Sequence, residues 1–151
     1  MEVIFVIVFI AAIWYLYRAS NRTFTVELKA YTTREEAMDD GHLLSENGFD
    51  QEVVGESHYQ SILVKIVDSL PDGYDFVQAT LELEHDNPHD KNAVAVKIAS
   101  RLVGHLPRAA AKEYRRLAKI KNIPEVAPCP AIIRGSADTN YGVWLGLPEL
   151  V

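Results

Sequence analysis

The stretch "VQATLELE", residues 77–84, alternates apolar and polar side chains without a break. Val77, Ala79, Leu81 and Leu83 fall on one face of an extended chain, and Gln78, Thr80, Glu82 and Glu84 on the other. A period of two marks a strand with one buried face. The segments around it leave little room for anything but more strands. "AVAVKIA" (93–99) and "RLVGHL" (101–106) have only Ser100 between them, which predicts a hairpin there. "PRAAAKEYRRLAKIKN" (107–122) reads as a helix: Pro107 suits a first turn, and Ala110, Tyr114, Leu117 and Ala118 form an apolar stripe. "EVVGESHY" (52–59) and "SILVKIV" (61–67) read as opening strands, "PAIIRG" (130–135) and "GVWLGL" (142–147) as closing ones. Short strands in series around one helix predict a mainly β (α+β) unit, a small and partly open β-barrel.

The N-terminal third has a different texture. Val3 to Tyr17 is an unbroken apolar run of fifteen residues, followed by Arg18, with Trp14, Tyr15 and Tyr17 at one end. As a helix it spans roughly 22 Å, which a snorkelling arginine and a thinned bilayer extend to a crossing. A cleaved leader would want positive charge before the run, and Glu2 stands there instead. The expectation is therefore a transmembrane helix. Arg18, Arg22, Lys29 and Arg34 all lie beyond the run, so the positive-inside rule places the rest of the chain in the cytoplasm as a single-pass protein. After a polar linker (19–23), "FTVELKAY" (24–31) reads as a strand. "TTREEAMDDGHLLSENGF" (32–49) reads as a helix, with Thr33 and Glu36 as a capping box and Gly48 as its stop. The division is an anchor at 1–18, a linker and small βα unit at 19–50, and a barrel at 51–151.

Charge bounds the partners. The 151 residues carry a net −6, which by itself argues against nucleic acid. The distribution changes that view. Residues 35–90 hold fifteen acidic side chains and one basic, whereas 97–121 hold eight basic and one acidic. Catalytic signatures are missing: no Gly-rich phosphate loop, no nucleophile elbow and no paired metal carboxylates stand out. His85, Asp86, His89 and Asp90 have tempting spacing for a metal, but Pro88 breaks the helix that would align them. The single cysteine, Cys129, excludes an internal disulfide. The reading is of a non-enzyme with no cofactor and no metal.

Four segments carry a resemblance. "VVGESHY" (53–59), "LELEHDNPHDKNAVAVKI" (81–98), "LVGHLPRAAA" (102–111) and "IIRGS" (132–136) stand in the order and spacing of a HIRAN domain, over roughly residues 52–149. The resemblance implies an OB-like β-barrel that binds single-stranded DNA and recognises its 3′ end, and it implies the site residues. Asp90 would accept the terminal 3′-hydroxyl proton, and Asn87 would bond the last base or sugar. His89 stands where the family usually has tyrosine, and His58 and Tyr59 where the first strand carries an aromatic pair. His105, in "VGHLP", matches another position at the site. Ser57 replaces a residue that is often basic, which weakens the grip on phosphate. Arg108 and Lys112, with Arg115, Arg116, Lys119 and Lys121, would give the next helix a basic face for the DNA backbone.

Other readings stay open. Asn-Pro and Asp are ordinary turn formers whose side chains bond their own backbone. His58 and His105 would also serve as core histidines, and a basic helix near a membrane also attracts anionic lipid. The leading expectation is a membrane-tethered module for the 3′ end of single-stranded DNA, one that presents it to a partner nuclease, helicase or other protein. The alternative is a protein-interaction domain that keeps the fold without binding DNA.

Overall fold

The computed structural model describes residues 28–136 and 138–150. Along them run β1 (Ala30–Tyr31), α1 (Arg34–Asp39), β2 (Gln51–Glu52), a 3-10 turn (Glu56–His58), α2 (Gln60–Ser69), β3 (Phe76–Leu83), β4 (Val94–Ile98), β5 (Arg101–His105), α3 (Arg108–Ile120), β6 (Val126–Ser136) and β7 (Asn140–Leu145). The strands form one antiparallel sheet in the order β2-β7-β6-β3-β4-β5, with β1 added against the start of β3. The sheet curls until its two ends meet. Val54, just beyond β2, exchanges both backbone hydrogen bonds with His105 at the end of β5, each 2.9 Å long. A mostly-β, curled antiparallel sheet with few helices is an OB-like arrangement.

The alternation in residues 77–84 sets the inner wall. Val77, Ala79 and Leu81 are buried, while Gln78, Thr80 and Glu82 are half-exposed on the outer face. The hairpin expected at Ser100 is present. Ile98 pairs with Arg101, and Ala99 and Ser100 between them both take positive φ, 49° and 60°. That is the conformation whose twist matches paired strands. Along β5, Gly104 opposes Val96 but Leu102 opposes Lys97, so Val103 is an extra, bulged residue. A Cβ on Gly104 would lie 2.6 Å from the Val54 carbonyl oxygen and 2.5 Å from Val53 Cγ1. Only glycine lets the closing contact form.

Helix α3 caps the barrel through Ala110, Ala111, Tyr114 and Ala118, all buried. The small side chains let the helix lie close, and Tyr114 fills the remaining space. Its hydroxyl, 3.3 Å from His42 Nε2, finds a partner on the N-terminal loop. Strand β6 starts four residues before "PAIIRG" and runs through Pro128 and Pro130. Both oppose β3, and β7 pairs with β6 only from Ala131 onward. The missing proline N–H groups therefore cost no ladder bond, as for an edge.

Four expectations change. "EVVGESHY" is not one strand: beyond Gln51–Glu52 only Val54 makes a bridge, Gly55 turns the chain at φ 86°, Glu56–His58 form the 3-10 turn and Tyr59 starts α2 as its N-cap. "SILVKIV" lies in α2, not in a strand. Its buried residues, Leu63 and Ile66, with half-buried Ile62, Val67 and Leu70, repeat at helical spacing. Its β-branched composition is overridden by that tertiary stripe. The helix expected to reach Gly48 stops at Asp39. The capping box is formed as expected, but beyond Gly41 the chain is held by a Ser45 hydroxyl on the His42 N–H and by Glu46 N–H on the Gly146 carbonyl. Of residues 24–31, the described strand is Ala30–Tyr31. Phe49 at the end of this region is buried, its ring 5.5 Å from that of Phe76. The anchor (1–18) and the linker (19–23) lie outside the described residues. Among the described residues no helix is long and apolar enough to cross a membrane.

Gly104→Ala is expected to lower stability by about 1–3 kcal/mol, the usual cost of overpacking, as measured by urea denaturation. A pH effect arises at His42, which burial lowers from 6.5 to about 4. Between pH 6.5 and 4 the unfolded chain takes up a proton that the folded chain refuses, so stability falls as the pH drops through that window. His42→Asn, whose amide oxygen can still accept the Leu44 N–H, is expected to remove that part of the slope when the two pH profiles are compared.

Candidate functional site

The segment between β3 and β4 is ordered by its own polar side chains. Asn87 Oδ1 accepts the N–H groups of His89 at 2.9 Å and Asp90 at 3.0 Å. Asp90 Oδ1 accepts the Asn92 N–H at 2.9 Å, and the Asp90 carbonyl accepts the Ala93 N–H. At the base of the loop, Glu84 N–H donates to the Ala93 carbonyl. These are the local bonds that make asparagine and aspartate turn residues. The turn-forming role of Asn87 is therefore real, and its oxygen is occupied. Asp90 keeps its second carboxylate oxygen without a hydrogen bond among the described residues.

Two residues outside the turn hold it in place. Arg115 of α3 donates Nε to the Asn92 carbonyl at 2.8 Å, and Nη2 to the carbonyls of Glu84 at 2.5 Å and Ala93 at 2.9 Å. It was expected to touch a DNA backbone. Instead its guanidinium is spent on three carbonyls of its own chain. Arg116 is likewise taken, in a two-bond pair with Glu113 at 2.8 and 2.6 Å. That contact holds the Glu113 carboxyl below its usual range and the Arg116 guanidinium above its own. The basic face of α3 is thereby reduced to Arg108, Lys112, Lys119 and Lys121, all exposed.

Glu84, the second of the two, is the site residue that sequence reasoning passed over. Its Oε2 receives Asn87 Nδ2 at 2.8 Å and lies 3.1 Å from His105 Nε2, so one oxygen joins the turn to the end of β5. The signal was its place in the alternation. As the residue just past β3 that continues the outward set of Gln78, Thr80 and Glu82, it faces whatever crosses the strand end.

These contacts enclose a cleft of about 270 Å³. Val54, Ala93 and Leu106 give it apolar surface, while Asn87, His89, Asp90, His105 and Arg108 supply the polar groups. Arg108 opens α3 and reaches the His89 carbonyl at 3.2 Å. Among the described residues no side chain caps α3, so its first N–H groups are open beside the cleft. Five of the eight residues expected at the site are thus brought together. His58, Tyr59 and Lys112 are not among those lining the cleft. His58 ends the exposed 3-10 turn, and its ring meets that of Tyr59 edge-on at 6.4 Å. Lys112 lies one helical turn beyond Arg108. His85 faces away, paired with Glu125 at 3.1 Å.

Chemically, the cleft offers an apolar surface for a sugar or base, a carboxylate oxygen for a hydroxyl donor, and a guanidinium beside open N–H groups for an anion. Comparison with protein families gives a match to the HIRAN domain over residues 47–129, more than half of the chain. The match contains the turn, β4, β5 and all of α3. Neither a curated protein nor a solved structure matches the chain.

Arg115→Ala leaves three carbonyls without their charged donor and is expected to cost about 2–3 kcal/mol. Amide hydrogen exchange should quicken first at Ala93 and Asn92, the base of the loop, while the β6–β7 amides keep their protection.

Proposed function

The chain belongs to the HIRAN domain family, and we propose that its cleft captures single-stranded DNA by a free 3′ end. The observation that carries this reading is the meeting of Asp90 and Arg108 across one apolar-floored cleft. A carboxylate repels phosphate, so it is a liability along a DNA backbone. It becomes favourable only against a hydrogen-bond donor, and a terminal 3′-hydroxyl is one. The open oxygen of Asp90 accepts that hydroxyl. Arg108 and the open N–H groups of α3 hold the adjoining phosphate, as helix N-termini do. His89, exposed at the rim, offers a face for the last base, and His105 lines the wall near the sugar. Asn87 acts by shaping the turn that presents Asp90. His58, Tyr59 and Lys112 would meet the strand beyond the cleft.

The module itself does no chemistry in this reading. The apolar run at 3–17 tethers it to a membrane, with Arg18 and the basic residues beyond it on the cytoplasmic side. It would present a DNA end to a partner enzyme there. Ser57, in place of a basic residue, and the histidine at position 89 favour a second reading, a membrane-bound adaptor that binds protein and no DNA.

The test is fluorescence anisotropy of the detergent-solubilised full chain against single strands ending in 3′-hydroxyl or 3′-phosphate. Preference for the hydroxyl is expected, and Asp90→Asn should reduce it by about tenfold, near the strength of one charged hydrogen bond. Arg108→Ala should weaken both strands and lower the salt slope by about one. Equal affinity for circular and 3′-ended strands would remove the end-specific part. No binding to any strand would leave the adaptor.

A further inference from the structure

A second concave surface lies on the other side of the 3-10 turn, which touches β5 on one flank and β7 on the other. It consists of two adjoining hollows, of about 450 and 440 Å³, that share Gly135 and Tyr141. Neither shares a lining residue with the DNA cleft. The first is walled by Tyr141 and Trp144 and carries Glu52, Glu56 and Arg134. The second is walled by Tyr74, Phe76 and Ile133 and carries Asp72 and Asp75. The hollows together thus have four carboxylates and one guanidinium, with aromatic rings between them.

We propose that this trough is a docking surface for an extended lysine- or arginine-rich segment of a partner protein. Charge complementarity selects that occupant. Four carboxylates along a concave surface focus a negative potential, which draws cations and repels phosphates. Nucleic acid held in the neighbouring cleft is therefore turned away from the trough.

The aromatic walls suit the same occupant, because ring faces attract cations. One such contact already exists: the Arg134 guanidinium lies over the Trp144 ring, 5.1 Å from its centroid. Glu52 and Glu56 make the trough electrostatically incomplete as it stands. Burial raises the Glu56 carboxyl above its usual value, and the neighbouring Glu52 charge adds to that, against the hydrogen bond from Val143 N–H. A cation placed between the two would relieve the repulsion.

The binding mode is also constrained. A peptide entering beside β7 would ordinarily add as a strand. Here the backbone groups it would need are taken. Gln60 donates Nε2 to the Tyr141 carbonyl and accepts the Tyr141 N–H on Oε1, both at 2.8 Å, and Glu56 accepts the Val143 N–H. Beside β7, recognition must therefore come from the side chains of the incoming segment, its cations at the carboxylates and its alkyl stems on the rings. The protein then has two faces, one for a DNA end and one for a basic partner.

The experiment tracks Trp144 fluorescence in the full chain carrying Trp14→Phe. The probe is a synthetic peptide of alternating lysine and alanine, with an alternating glutamate and alanine peptide as control. A saturable change with the lysine peptide alone is expected, weakened about tenfold or more by Glu52→Gln with Glu56→Gln and by raised salt. Glu56→Gln keeps an acceptor for the Val143 N–H, so the fold is retained. A second variant, Asp72→Asn with Asp75→Asn on an exposed loop, should weaken binding as well. Asp90→Asn should leave it unchanged. The proposal is overturned by no saturable change, by an equal response to the glutamate peptide, by full affinity in both carboxylate variants, or by loss of binding in Asp90→Asn, which would put the peptide in the DNA cleft. None of these readouts depends on DNA binding, so the two readings stand or fall separately.

Discussion

Two hydrogen bonds between Val54 and His105 join the ends of the sheet, and most of the architecture depends on that closure. They bring the segment just beyond β2 beside β5, so Val54 forms one wall of the cleft. They fix His105 at the cleft edge, where its ring meets Glu84. The closure depends on Gly104, because any side chain there would strike the Val54 carbonyl. The bulge at Val103 turns the end of β5 so that His105 comes beside Val54. A missing side chain, one extra residue and two backbone bonds thus set the position of the site.

On the proposed function the turn between β3 and β4 has two jobs, and its side chains divide them. Asn87, one oxygen of Asp90 and the Arg115 guanidinium serve the chain itself, bonding backbone groups that would otherwise be left to water. The second oxygen of Asp90, the His89 ring and Arg108 remain for a ligand. A rigid turn lowers the ordering cost of binding, because little needs to be fixed when the ligand arrives. Glu84 adds a link across the strand ends by joining Asn87 to His105. Structural and binding readings of the same residues are therefore not rivals here. The first makes the second possible.

The charge asymmetry of the sequence acquires a location. Part of the acidic stretch gathers around the trough between α2 and the β6–β7 hairpin, through Glu52, Glu56, Asp72 and Asp75. Much of the basic stretch lies on α3 next to the cleft, although two of its arginines are consumed by the fold. A net charge of −6 hides both features.

The segment from β3 through α3 was legible in the sequence because its signals are local. Strict alternation, a two-residue hairpin, a helix-starting proline and an alanine stripe each depend on neighbours a few positions away. The resemblance carried by the turn and the "VGHLP" segment also implied Asp90, His89, His105 and Arg108 as site residues, and the structure brings these four to one cleft. What the sequence could not decide depended on distant partners. "SILVKIV" has the composition of a strand, and only its packing of Leu63 and Ile66 into the barrel makes it a helix. Whether Arg115 faced solvent or the turn depended on how α3 lies over the barrel, since the carbonyls it binds are 22 to 31 residues away. Local propensities are written residue by residue. The competition between solvent and a distant backbone group is settled only when the tertiary fold brings that group within reach.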